Sequence, residues 1–471
     1  MPLPGRLRGQ NAGFRLPPDV RLVSRAMAEP IPPLSGFPEW LPAQRLAEQL
    51  LLDQIRRRFE LAGFVSIETR AVEPLRVLLA KGETDKEVYV LRRLHAEPGE
   101  DSDLGLHFDL TVPFARYVAQ HRGQLSFPIR RYQIQKAWRG ERPQEGRYRE
   151  FTQADVDVIG EGTLGIHHDA ELIRLLAEVL AALPIPPVRL LVNHRKLLEG
   201  AYRALGIEAV ADVLRAADKL DKIGDRGVAK ILTETLGLSQ DVADRCLALA
   251  RIRGDVDAVA AGLRQLELSH PLIDAGLADL RAILDASADL PEGRLVADLR
   301  IARGLDYYTG MVCEGQLVGH EQLGSVCSGG RYDNLASGMG VDTPLPGVGV
   351  SIGVTRLVGR LFSKQLLRAS RATPSCVLVA LISDETRGVS QDVARRLRAR
   401  DIACEVFDRP IKLGKQIRQA EQRGIPFVWF PPMEPGATHG VRDIRSGEQV
   451  DADPDAWEPP AEDRAPRLVG A

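Results

Sequence analysis

Long apolar runs are missing from this chain of 471 residues, and none approaches the roughly 18 that a membrane-spanning helix needs. Paired cysteines are missing as well. Cys246, Cys313, Cys327, Cys376 and Cys404 are scattered without a CxxC, which argues against a zinc ribbon or a disulfide framework and fits a reducing, cytoplasmic setting; no resident metal is expected. An excess of one charge is also lacking: 62 Lys and Arg stand against 64 Asp and Glu, a net −2. No global basic field advertises nucleic acid, so any such site must be a local patch. With 44% hydrophobic and 27% charged residues the composition is that of a globular protein, and the length favours two to four domains.

The order of patterns along the chain divides it. Residues 1–33 carry arginines and prolines without helical period and read as a disordered leader; residues 451–471, rich in Pro, Asp and Glu, read as a disordered tail. Pro42 opens a helix with Leu51, Ile55 and Phe59 on one face, closed by Gly63. From Leu104 to Gly160 the period is two. In FTQADVDVIG, Ala154, Val156 and Val158 share an apolar face, whereas Phe151, Gln153, Asp155 and Asp157 share the opposite one. These strands open a sheet-bearing unit, 34–196, that resumes over 294–368 after a helical insertion at 197–293. Strands then alternate with helices over 374–450, a small α/β unit with a largely parallel sheet.

One patch stands out from the balanced charge. RGERPQEGRYREF, Arg139 to Phe151, holds four arginines around Pro143 and Gly146. Planar guanidinium forks suit phosphate and carboxylate, although an arginine-rich hairpin alone is as often a solvated, salt-bridged surface. Here Arg139 continues the polar face of Gln133 and Gln135 on YQIQKAWR, and so points where Gln153 and Asp157 point. LHFDLTVPFAR places Asp109 and Thr111 on one strand face, suited to an ammonium group. IARGLDYYTG joins Arg303 to Tyr307 and Tyr308, and CSGGRYDNL brings two glycines into a strand, where a close neighbour must be accommodated.

Together these segments are recognisable. RGERPQEGRYREF resembles motif 2 of the class II aminoacyl-tRNA synthetases, GVSIGVTRL with Arg356 resembles motif 3, and the helix from Pro42 through ETRAVEP resembles motif 1. The combination of ERPQEGRYREF with RGLDYYTG and SGGRYD resembles the histidyl-tRNA synthetases in particular, over roughly residues 34 to 450. The resemblance implies an α+β fold: a six- or seven-stranded antiparallel sheet flanked by helices, a helical insertion and a C-terminal α/β anticodon-binding domain. It implies ATP with Mg²⁺, L-histidine and tRNA(His) as substrates, a histidyl-adenylate intermediate and a homodimer.

Residue by residue, it implies that Arg139 bridges the α-phosphate and the histidine carboxylate while Arg303 faces that phosphate from the other side, these two being the catalytic residues. Glu141 and Phe151 would take adenine, and Arg147 and Arg356 the outer phosphates. Asp109 and Thr111 would hold the ammonium, Gln153 would orient the amino acid, and Asp157 with Tyr308, beside Tyr307, would address the imidazole. Arg142 and Gln144 would meet the acceptor end of the tRNA, and Lys412, Lys415 and Arg418 its anticodon side. The chain departs from the family pattern at Arg70, where motif 1 usually has proline, at Thr355, where an acidic residue is common, and at Ser328, which replaces a glycine. The alternative function is a non-catalytic histidine-sensing regulatory paralogue of the same fold.

Overall fold

The computed structural model describes residues 31–79, 87–95, 103–144, 146–301, 307–336, 339–432, 434 and 436–470. A nine-stranded sheet is its centre: β1 (Val65–Ser66), β4 (Ile129–Trp138), β5 (Glu150–Ile159), β6 (Val188–His194), β7 (Arg253–Gly254), β8 (Leu295–Asp298), β9 (Met311–Leu317), β10 (Ser325–Tyr332) and β11 (Gly347–Gly353). The spatial order is β1-β4-β5-β11-β10-β9-β6-β8-β7. The six strands from β4 to β6 pair antiparallel, and β1 and β8 add in parallel.

One face of this sheet is apolar and the other is not. Ala154, Val156 and Val158 are completely buried and pack with Leu51, Ile55 and Phe59 of the helix Pro42–Leu61, and with Leu172, Leu176 and Val179 of the helix His167–Ala182. Burial of side chains of this size contributes roughly 1.5–3 kcal/mol each, so the period-two pattern fixes which way β5 faces. Gln153, Asp155 and Asp157 are therefore forced onto the opposite face. Across it, Asp155 sits opposite Gln133 of β4 and Ser351 of β11, and Asp157 opposite Arg131 and Gly349.

Helices occupy most of 195–285 between β6 and β8, interrupted by β7. The C-terminal unit is a five-stranded sheet of β13 (Val377–Val379), β14 (Cys404–Val406), β15 (Phe427–Phe430), β16 (Gly440–Asp443) and β17 (Gln449–Asp451), in the order β14-β13-β15-β16-β17. Its first three strands are parallel and the last two antiparallel.

Two expectations are corrected. The strand expected across Asp109 and Thr111 stops early: β3 (Leu104–Leu106) pairs with β2 (Val72–Pro74), and Thr111–His121 is a helix. The Asp109 carboxylate accepts the Val112 N–H at 3.0 Å, a local bond that competes with extended backbone and favours a helix start. Residues 451–470, expected to be disordered, are folded. β18 (Leu468–Gly470) pairs antiparallel with β12 (Leu367–Ala369), and buried Arg371 donates to the carbonyls of Thr373, Pro374, Asp463 and Arg464. The acidic composition that suggested disorder is used in ion pairs, Asp463 with Arg445 and Asp455 with Arg396. Residues 1–30 of the expected leader lie outside the described residues.

Replacing Arg371 by methionine keeps the volume but leaves those buried carbonyls without their donor. We expect Arg371→Met to lower unfolding free energy by about 2–3 kcal/mol in denaturant titration; an unchanged midpoint would show that this anchor does not hold the tail.

Candidate active site

The polar face of the sheet opens into a cavity of about 630 Å³. Its outer end is cationic. Arg139 leaves β4 with its backbone N–H donated to Arg149 at 2.9 Å and its side-chain Nε donated to the Phe108 carbonyl at 3.0 Å, which holds the guanidinium 5.1 Å from the centre of the Phe151 ring. Arg356, at the start of the helix Val354–Ser363, donates to the carbonyls of Gly146 at 2.7 Å and Ser325 at 2.9 Å. Burial pushes its guanidinium down to about 10, and the neighbouring charges of Arg360, Arg147 and Arg139 add to that. Glu141 is the nearby counter-charge, 3.2 Å from Arg147 and 4.0 Å from Arg139. Gly146 has a φ of +73°, and a Cβ there would run into the Arg360 guanidinium, so glycine is required where these arginines converge.

The inner end is acidic and aromatic. Asp109 is 2% exposed and receives Tyr307 Oη at 3.0 Å besides the Val112 N–H; burial raises its carboxyl above the usual range. Thr111, two residues on, lines the same wall. Tyr307 and Tyr308 meet edge to face at 5.0 Å, and Gly330 makes room for Tyr308, since a Cβ there would lie 2.7 Å from its ring. Gln153 donates to Ser351 Oγ at 2.8 Å. Cys313 and Cys327 also face the cavity, but burial pushes both thiols far up, so neither supplies a thiolate nucleophile.

Of the residues singled out from the sequence, Asp109, Thr111, Arg139, Glu141, Arg147, Phe151, Gln153, Tyr307, Tyr308 and Arg356 line one cavity. Asp157 stands behind that wall. It lies one pleat beyond, 2.9 Å from Arg131, and receives Tyr332 Oη at 2.7 Å in the space that Gly349 leaves open. Arg303 lies outside the described residues. Arg142 and Gln144 are exposed on the connection between β4 and β5 and are not among the lining residues, and Lys412, Lys415 and Arg418 are exposed on or beside the helix Leu413–Arg423. Sequence reasoning passed over Asp155, Ser351 and Glu314, together with Arg195, Arg215 and Lys219 from the helical region. For Asp155 the signal was present, because it alternates with Gln153 on the same face.

Two of the three departures from the family pattern have local explanations. Arg70 pairs at 3.0 Å with buried Glu73, and the Thr355 hydroxyl accepts the Thr152 N–H at 2.8 Å, tying motif 3 to β5.

A histidyl-tRNA synthetase family model matches residues 36–357. The chain belongs to the histidyl-tRNA synthetase family. An anticodon-binding-domain model matches residues 376–431, the C-terminal unit of this synthetase. The histidine–tRNA ligase of Micrococcus luteus is 54% identical over 93% of this chain and 98% of its own length, and that of Cutibacterium acnes is 52% identical over 93% and 98%. The crystal structure of histidyl-tRNA synthetase from a Nostoc species superimposes with a TM-score of 0.79 at 35% identity, covering 91% of this chain and 98% of its own.

Asp155 is the strained member of the cavity. Burial drives its carboxyl up to about 7, with Asp157 and Asp109 adding and Arg131 and Ser351 opposing. An unfolded aspartate titrates near about 4, so between these values the folded form keeps a proton that the unfolded form releases. Stability therefore falls as pH rises through that window, and the full penalty stands above about 7. Asp155→Asn should be more stable than the parent by up to a few kcal/mol near about pH 8 and by much less near about pH 5. Denaturant midpoints at the two pH values check this; an equal gain at both, or a loss, would contradict it.

Proposed function

We propose that this protein ligates L-histidine to tRNA(His) through a histidyl-adenylate, consuming ATP and releasing pyrophosphate and AMP. The observation that carries the reading is the polarity of the cavity, with carboxylates and tyrosines at one end and three converging arginines at the other, in a member of this family. An amino acid and a polyphosphate laid end to end match that polarity.

In this reading Asp109 and Thr111 hold the ammonium group and Gln153 orients the amino acid. Arg139 sits where the histidine carboxylate meets the α-phosphate, with Arg303 approaching that phosphate from the segment RGLDYYTG. Arg147 and Arg356 take the outer phosphates, and Phe151 stacks on adenine. Glu141, 3.2 Å from Arg147, takes the adenine amino group. The histidine carboxylate attacks the α-phosphorus in line and pyrophosphate leaves; a terminal ribose hydroxyl of the tRNA then takes the histidyl group. No protein nucleophile is needed, because positioning and fixed positive charge stabilise the transition state.

Mg²⁺ enters with ATP as substrate. The described residues contain no group of three or more ligating side chains that could hold an ion by themselves, so phosphate oxygens would supply most of its ligands. A site that hydrogen-bonds a polar side chain can reject isosteres by roughly 10⁴-fold, which makes a separate editing step unnecessary.

For tRNA, exposed Arg142 and Gln144 are placed to meet the acceptor end, and Lys412, Lys415 and Arg418 the anticodon side. The helical region 197–293 reads as an insertion between the two parts of the catalytic core, 34–196 and 294–368, with 374–450 as the anticodon-binding domain. A homodimer is supported by the open edge at β1, where Val65 is 58% exposed and Leu61 beside it 60%. Five buried, unpaired thiols suit the cytoplasm. A histidine-sensing paralogue without catalysis would have no use for the cationic end of the cavity.

Histidine-dependent exchange of labelled pyrophosphate into ATP tests the reading, and its absence in freshly purified protein would refute it. Arg303→Ala should lower exchange by about 10²-fold or more while histidine binding stays measurable by calorimetry. Unchanged turnover would remove Arg303 from the site.

A further inference from the structure

Tyr148 sits between Arg147 and Arg149 on the limb of the connection that returns to β5, and it is half-buried. Its hydroxyl lies over Gly359, in the interior of the helix Val354–Ser363. A Cβ at Gly359 would run into Tyr148 Oη and lie 3.2 Å from its Cζ. Glycine inside a helix costs roughly 0.5–1 kcal/mol relative to alanine, so its use at 359 reflects the close approach of Tyr148 and not a requirement of the helix.

Trp40 closes the other side of this contact. Its ring meets Tyr148 edge to face at 6.5 Å between centroids and Phe362 at 5.4 Å, and a Cβ at Gly359 would stand 3.3 Å from one of its carbons. Tyr148 is therefore held between the helix Val354–Ser363 and the residues just before the helix Pro42–Leu61. The backbone on each side of it is fixed from the same two directions. Arg356 donates to the Gly146 carbonyl at 2.7 Å. The Gly36 carbonyl accepts the N–H groups of Arg149 at 2.7 Å and Glu150 at 3.1 Å.

We propose that Tyr148 is a positioning residue for ATP: seated on Gly359 and flanked by Trp40, it fixes the returning limb so that Arg147 and Phe151 present their side chains to the nucleotide. This rests on the reading of the cationic end of the cavity as the ATP end. Arg147 and Phe151 line that cavity together with Tyr148, and a long guanidinium side chain on a loop keeps one direction only where its backbone does. A displacement of about 1 Å in such groups can cost about 10²-fold in rate. The amino-acid end does not share this support. Asp109 holds Tyr307 at 3.0 Å and the Val112 N–H at 3.0 Å, and neither bond draws on the loop.

The test is pyrophosphate exchange, with ATP and histidine each varied while the other is saturating, beside thermal midpoints. Gly359→Ala should lower kcat/KM for ATP by about 10–100-fold while the KM for histidine stays within about twofold. Adding Tyr148→Phe, which removes the oxygen in the way of the new methyl group, should restore most of the lost kcat/KM. A glycine kept only for the stability of the helix would show no such rescue. Trp40→Leu, which removes the flanking ring, should lower kcat/KM for ATP in the same direction by less, and it carries the test if Gly359→Ala does not fold. An unchanged kcat/KM for ATP in the folded variants overturns the assignment, as does an equal effect on histidine. Failure of Tyr148→Phe to rescue Gly359→Ala also overturns it. If the parent protein is active and only these results fail, Tyr148 alone is excluded; if the parent shows no histidine-dependent exchange, the ATP reading falls and the assignment with it.

Discussion

A fully buried arginine organises the polar side of this molecule. The Arg131 guanidinium lies 4.3 Å from the centre of the Phe114 ring, donates to the Leu110 carbonyl and stands 2.9 Å from Asp157, which also receives the Tyr332 hydroxyl. Those contacts join β4, β5, β10 and the start of the helix Thr111–His121 at one point. A buried charge pair of this kind adds little net stability over an apolar alternative, but removing one partner typically costs about 3–5 kcal/mol. It therefore fixes the relative positions of its elements more than it stabilises them. Asp109, Asp155, Tyr307 and Tyr308 all stand on the platform it defines.

On that platform the cavity is polarised before any ligand enters. Acidic groups exceed basic ones at the inner end, and at the outer end burial, with the neighbouring guanidiniums adding to it, depresses Arg356. Each end is electrostatically unfavourable in isolation, and each is relieved by a ligand of the opposite sign. Groups held this way need no reorganisation when charge develops in the reaction, which is the condition for strong electrostatic catalysis. Backbone carbonyls do much of the holding: Arg139 is bound to Phe108, and Arg356 to Gly146 and Ser325. Their guanidiniums retain further donors for anions.

Much of this was legible from residue types and spacing. The alternation in FTQADVDVIG separated a core face from a polar face, and the arginines of RGERPQEGRYREF could be aligned with the polar one. Two kinds of feature were not legible. Asp109 and Thr111 looked like neighbours on a strand, because a side chain that caps the next turn cannot be told from one on a pleat by period alone. The acidic tail looked unable to fold, because composition does not record that Arg371, Arg396 and Arg445 wait elsewhere to receive it.

The sequence by itself determined the face on which each β5 residue lies, since burial of Ala154, Val156 and Val158 leaves the intervening polar residues no other side. It also determined the presence of a local cationic patch, because guanidiniums so dense on one hairpin cannot all be neutralised by the carboxylates beside them. Only the tertiary structure decided which polar residue meets the cavity and which supports it. Asp155 and Asp157 are the same residue type on the same face, and the difference between them comes from Arg131 and Tyr332 lying behind one and open space lying before the other. Those partners arrive from strands far apart in the chain, so their choice is settled by sheet register and not by any local pattern.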